Sequence, residues 1–289
     1  MKSLFEKSSK NDDVEYLNAR NYFKPALPLI DEFWFKYAPY ADAKFESQIH
    51  KQFLSRIWEL WLGNIFLSQS FQLQEKNDTA WPDFYLQKNN SKYYVEAICP
   101  DNASEESGNQ VPDLNPVFMQ EIKSDLYELR IQKAVFEKYS KKNIKEIEKL
   151  SIPYIIAINV CKLPFSRFSF GDIPWIIKAI YPIGPEVAIL NEKRDSFTTA
   201  RKIRRINTRK TGYELDKCIF SSSNYSLISA IIYTANKISL GDGEITKDVF
   251  IIKNPYAKYK CEENFGMNEM VVDYCNKSFR YHIIERGSN

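Results

Sequence analysis

A chain of 289 residues, 44% apolar and 27% charged, is long enough to bury a sizeable core, and this ordinary globular composition argues against disorder over most of it. The formal charge of +3, from 40 basic and 37 acidic residues, is nearly balanced, so only local clustering of basic residues can signal a polyanionic partner. Five cysteines (Cys99, Cys161, Cys218, Cys261 and Cys275), odd in number and without a Cys-x-x-Cys, argue against a disulfide framework or zinc knuckle and for a reducing, cytoplasmic setting.

No apolar run approaches the ~20 residues of a membrane span. The start, MKSLFEKSSKNDD, lacks a signal-peptide core, and no membrane partner is expected. Residues 1–42 read as an N-terminal helical or irregular extension, in which FKPALPLIDEFWFKYAPY predicts a short helix around Leu29–Tyr37 between prolines. Residues 43–289 read as the main domain with a C-terminal elaboration. From Ala43 to Phe71 a single long helix is expected, because Phe53, Ile57, Leu60, Trp61, Ile65 and Phe66 recur at helical spacing. Arg56 and Glu59 stand inside that apolar surface. Three apart, they suit each other as an ion pair; buried, they require either that pairing or a metal.

Next come two segments rich in Tyr, Phe and Val, WPDFYLQ and YYVEAICP, separated by KNNSK. Asn89 and Asn90 tolerate the positive φ of a tight hairpin. A turn centred between them sets Asp83 opposite Glu96, on one face with Trp81, Tyr85, Tyr94 and Ile98. Phe84, Leu86, Val95 and Ala97 take the other face. Directly opposed side chains have Cβ atoms about 5 Å apart, and like charges at that range repel. A divalent cation held by one or two carboxylates with water and phosphate removes the objection; otherwise the two acids are ordinary surface residues.

Pro82-Asp83, Glu96-Ala97-Ile98 thirteen positions beyond that aspartate, and RIWELWLGNIFLSQSF ahead of both, together resemble the PD-(D/E)xK nuclease superfamily, whose fold is that of restriction endonucleases. More narrowly, the string is similar to a branch with a helical WEL segment, then PDF, then a strand ending EA-x-x-P. The resemblance covers residues 46–140 well and the remainder loosely. It departs at Ile98, where family members usually carry lysine. It implies a restriction endonuclease-like α/β fold, a mixed central β-sheet flanked by helices on both faces. It also implies that Asp83 and Glu96, with the carbonyl of Ala97, ligate Mg²⁺ or Mn²⁺, and that Glu59 is a further ligand or an orienting group beside the metal. In several branches of the superfamily a neighbouring helix supplies the missing lysine.

DNASEESGNQVPDLNP reads as an acidic surface loop at the rim of that site. From Val117 to Leu150 a second helical region is expected, broken near Asn143. Arg130, Ala134 and Lys138 form an i, i+4, i+8 row, and Lys133 lies one turn from Arg130. Lys138 is the first candidate for the substitute lysine, because its spacing from Arg130 matches the narrower branch, and Lys133 is the second. A solvated charged face accounts for both equally well.

IPYIIAINVC, continuous and β-branched, predicts a fully buried central strand. DIPWIIKAIY reads as a helix, EVAIL as a strand, YSLISAIIYTA as a buried run and VFIIKNPYAKY as a strand ending at Asn254-Pro255. Helices and strands alternate, which argues for α/β. Six of the ten residues from Arg201 to Lys210 are basic: Arg201, Lys202, Arg204, Arg205, Arg209 and Lys210. Such a cluster fits either phosphate tracking or plain solvation. With only His50 and His282, no Ser-His-Asp or Cys-His pair is legible, and there is no GxGxxG or P-loop. The expected activity is a metal-dependent endonuclease with a nucleic-acid substrate, DNA favoured; the sequence leaves a homodimer open. The alternative is a nuclease-fold module that binds nucleic acid or a protein without cutting.

Overall fold

The computed structural model describes residues 3–6, 12–22, 24, 27–75, 82–104, 110–113, 124–139, 141–167, 173–190, 197–203, 206–207, 214–215, 219–237, 246–275 and 278–286. In chain order these form α1 (Val14–Tyr22), α2 (Leu27–Tyr37), α3 (Phe45–Gln48), α4 (Phe53–Ser68), β1 (Gln72–Leu73), β2 (Phe84–Lys88) and β3 (Ser91–Ile98). Then follow α5 (Ser124–Lys138), α6 (Lys141–Leu150), β4 (Tyr154–Asn159), α7 (Trp175–Ile180), β5 (Ile183–Leu190), β6 (Phe197–Ile203), β7 (Ile206–Asn207) and β8 (Glu214–Leu215). The chain continues through β9 (Ile228–Thr234), β10 (Phe250–Lys253), β11 (Asn268–Cys275) and β12 (Ser278–Ile284).

Eight strands make one sheet, in the order β1-β2-β3-β4-β9-β10-β11-β12. The pairs β3–β4, β4–β9 and β10–β11 are parallel and the others antiparallel, so the sheet is mixed, within the expected α/β class. β4 is its pivot, with six consecutive buried residues. Ile155 and Ala157 join Ala230 and Ile232 of β9 in one core, shared with α1, α2 and α4. Tyr154, Ile156 and Ile158 join a second core with Tyr127, Ile131 and Val135 of α5 and Trp175 and Ile176 of α7. Both faces are covered, which is why this strand and β9 are apolar without alternation.

The long helix expected from Ala43 to Phe71 is instead two, α3 and α4, separated at Ile49–Gln52. The break has a tertiary cause. Asp13 donates its backbone N–H to the His50 carbonyl (2.8 Å), and its side-chain Oδ2 accepts from the N–H of Phe53 (3.3 Å), capping the first turn of α4. The second helical region is also two helices, α5 ending at Lys138 and α6 beginning at Lys141, rather than one broken near Asn143, and its residues 117–123 lie outside those described. Residues 1–42 contribute Leu4, Phe5, Tyr16, Phe33, Trp34 and Tyr37 to the α4 core. EVAIL falls in β5, which pairs antiparallel with β6 in a separate two-stranded sheet. Among the described residues no helix is long and apolar enough to cross a membrane.

α4 is held to the sheet by the Trp58 indole N–H, which donates to the Ala157 carbonyl at 3.1 Å. It is held to α2 by close approach at Gly63, where a Cβ would meet Tyr37 Cδ2 at 2.3 Å. That ring is fully buried between Phe45 and Phe84. In an open helix, Gly→Ala is worth roughly 1 kcal/mol of stabilisation. Here Gly63→Ala overpacks the core and is expected to destabilise the protein by about 1–3 kcal/mol. Thermal unfolding of the variant checks this; an unchanged or higher midpoint would mean that Tyr37 moves aside freely.

Candidate active site

The hairpin adopts the register in which Phe84 pairs with Val95, Tyr85 with Tyr94 and Lys88 with Ser91. Asn89 takes the positive φ that the turn requires, +53°. The ladder ends at Phe84, one residue short of Asp83. Asp83 nevertheless stays on the strand, because its Oδ2 accepts the Ala97 backbone N–H at 2.8 Å. A side-chain oxygen thus stands where a strand carbonyl would otherwise continue the ladder.

Phe84, Leu86, Val95 and Ala97 face α4, whereas Tyr94 and Ile98 face α5. Glu96 is 3% exposed. Its Oε2 accepts from Lys138 Nζ at 2.6 Å, and the same ammonium lies 3.8 Å from Asp83 Oδ2. The last turn of α5 therefore delivers one cation between the two carboxylates of the hairpin. Burial pulls the Lys138 ammonium toward neutrality, but Asp83 and Glu96 outweigh it, and the pKa is raised above its ordinary value. Lys133, five positions earlier on α5, is exposed. Ile98 is partly buried in the α5 core.

Glu59 belongs to a different cluster, on the α4 face. Its Oε1 accepts from the Tyr37 hydroxyl at 2.9 Å and its Oε2 from Arg56 Nη1 at 2.7 Å. Arg56 also donates to Asp42 at 2.8 Å and to Gln48. The Tyr37 hydroxyl is held well above its usual pKa, first by burial and then by the Glu59 carboxylate, with Asp83 adding to the effect. It remains a donor to Glu59, and its ring packs against Phe45 and Phe84. Tyr37, Asp42 and Gln48 had no signature in the sequence, since no spacing along the chain links them to Glu59.

Arg201 and Lys202 lie on β6, while Arg204, Arg205, Arg209 and Lys210 lie outside the described residues. Among the described residues no group of three or more His, Cys, Asp or Glu side chains is arranged to hold a metal. What the hairpin presents is a two-carboxylate site. The two carboxylates are the kind of donor that holds a hard divalent cation completed by water and phosphate, and the Lys138 ammonium, which is no ligand, brings the net charge of the three side chains to one negative. Compared with protein-family models, with curated proteins and with solved structures, the chain matches none.

Removing one partner of a buried ion pair leaves an uncompensated charge. Lys138→Met is therefore expected to destabilise the protein by about 3 kcal/mol, and the double variant Glu96→Gln/Lys138→Met by much less. Because the folded-state pKa of Lys138 lies above the ordinary ~10.4, its stabilisation is fully present below that pH and is lost as pH rises through the raised value. Denaturant melts from neutral pH to the alkaline limit check this. A parent–variant gap that does not narrow at high pH would show that the charge on Lys138 is not the source.

Proposed function

We propose that this protein is a metal-dependent nuclease of the restriction endonuclease-like kind, hydrolysing phosphodiester bonds with DNA the favoured substrate. The observation that carries the reading is the convergence of Asp83, Glu96 and Lys138 on one point, from a hairpin and a helix far apart in sequence. Asp83 and Glu96, with the Ala97 carbonyl, would hold Mg²⁺ or Mn²⁺. Such an ion lowers the pKa of bound water and offsets charge on phosphate oxygens. Lys138 stands in for the lysine missing at Ile98 and orients the attacking water or offsets charge on the phosphate. Glu59, with Tyr37 and Arg56 on its oxygens, is an orienting group rather than a ligand. The basic run from Arg201 to Lys210 would track the phosphate backbone.

The second reading, a module that binds nucleic acid or a protein without cutting, is favoured by Ile98, an apolar side chain that neither orients water nor carries charge. The two readings diverge on cleavage of single- and double-stranded DNA and of RNA with Mg²⁺ or Mn²⁺. The nuclease reading expects cleavage by the parent, its loss in Glu96→Ala, a sharp reduction in Lys138→Ala, and little change in Lys133→Ala. Calorimetry should show Mn²⁺ binding that Asp83→Ala and Glu96→Ala abolish while both variants stay folded. Binding of nucleic acid with no metal-dependent cleavage would leave the non-cutting module as the better reading.

The basic run is tested separately. Replacing Arg204, Arg205 and Arg209 together by alanine should weaken duplex binding and flatten its salt dependence by about 0.9 per lost phosphate contact. An unchanged slope would assign the run to solvation.

A further inference from the structure

Two buried thiols lie together at the ends of the central strands. β3 and β4 run parallel and in register up to Ile98 and Ile158, so the chains leaving them emerge side by side, carrying Cys99 and Cys161. The two side chains belong to the same core, and each thiol lies near enough to the other to perturb it. The Cys99 thiol also lies 3.6 Å from the Leu54 carbonyl oxygen. Leu54 and Cys161 line one cleft of about 530 Å³, with Lys162 and Lys237 on its walls. Lys162 is ion-paired with Asp101 and Lys237 with Glu15, each at 2.6 Å. Cys161, 3% exposed, thus borders an open cleft that Cys99 does not line. Neither has a part in the proposed phosphodiester chemistry.

We propose that Cys99 and Cys161 are an oxidisable pair that closes into an intrachain disulfide when a peroxide enters this cleft. The Cys161 sulfur attacks one peroxide oxygen. The S–O bond forms, the O–O bond breaks, and the departing hydroxide leaves as water with the Cys161 proton. The Cys99 sulfur then attacks the resulting sulfenic acid. The S–S bond forms, the S–O bond breaks, and a second water leaves with the Cys99 proton. The two thiols supply the two electrons that reduce the peroxide. Cys161 reacts first because it lines the cleft. The neighbouring Cys99 thiol lowers its pKa against the effect of burial, and Lys162 and Lys237 lower it further. Cys261 is an internal contrast: it is buried, its thiol pushed up to about 12 by that burial, and it does not line the cleft.

The test uses the full chain in its folded state and does not depend on any nuclease activity. The protein is titrated with hydrogen peroxide, then denatured and alkylated, and its peptides are analysed by mass spectrometry. The expected result is loss of two alkylatable thiols, a mass lower by two hydrogens, and a cross-linked peptide joining residues 99 and 161 that dithiothreitol releases. Cys261 should stay alkylatable. In Cys99→Ser, dimedone should trap Cys161 as sulfenic acid; in Cys161→Ser, Cys99 should stay reduced. The parent measurement decides even if a variant fails to fold. Full alkylation of Cys99 and Cys161 at a peroxide dose that oxidises free glutathione would overturn the proposal, as would disulfides formed with other cysteines instead.

Discussion

The structure turns on a carboxylate carried into the interior. Glu96 sits on a strand whose neighbours are apolar, and only 3% of it is exposed. Taking a charge out of water costs several kcal/mol unless an opposite charge meets it with good geometry. Lys138 meets it, so the position of α5 along the sheet is constrained by one ammonium. The helix is held there independently: Gln132 donates to the Ala179 carbonyl at 2.7 Å, Tyr127 stacks on Trp175 at 4.6 Å, and the Tyr127 hydroxyl donates to the Pro164 carbonyl at 2.7 Å. Packing brings the cation to the acid. The acid, in turn, makes any other registration of the helix expensive.

The opposite face of the sheet repeats the principle with different chemistry. There Glu59 is buried within α4, and three elements converge to satisfy it: the end of α2 through Tyr37, the preceding turn of α4 through Arg56, and the segment at Asp42 that shares the guanidinium. Gly63 permits this arrangement, because only a residue without Cβ lets the Tyr37 ring lie against the helix. The two acid clusters are therefore built on different helices, and Tyr37 is close enough to feel Glu59 and Asp83 both. At the open end of the hairpin, where the β2–β3 ladder stops, Asp83 replaces a backbone acceptor and adds charge to an otherwise apolar sheet.

Much of the architecture was legible from local pattern. Alternation in WPDFYLQ and YYVEAICP and the Asn-Asn turn determined the hairpin and its register from Phe84 to Val95, because a one-residue slip would have turned Phe84, Leu86 and Val95 out of the core; Trp81 lies outside the described residues. The unbroken run YIIAIN announced a strand buried on both sides, whereas YSLISAIIYTA was legible only as a buried run and proved to be the adjacent strand. Only tertiary structure decided where the long helix would break, since Asp13, forty residues before Phe53, supplies the cap. Likewise, only packing decided that Lys138 reaches Glu96 while Lys133 faces solvent, and that the oxygens of Glu59 go to Tyr37 and Arg56. Periodicity reports which face of an element is buried, because that depends on neighbours a few residues away. Which charge meets which, or which thiol meets which, depends on how separate elements are brought together, and that is set by the summed packing of the core rather than by any spacing along the chain.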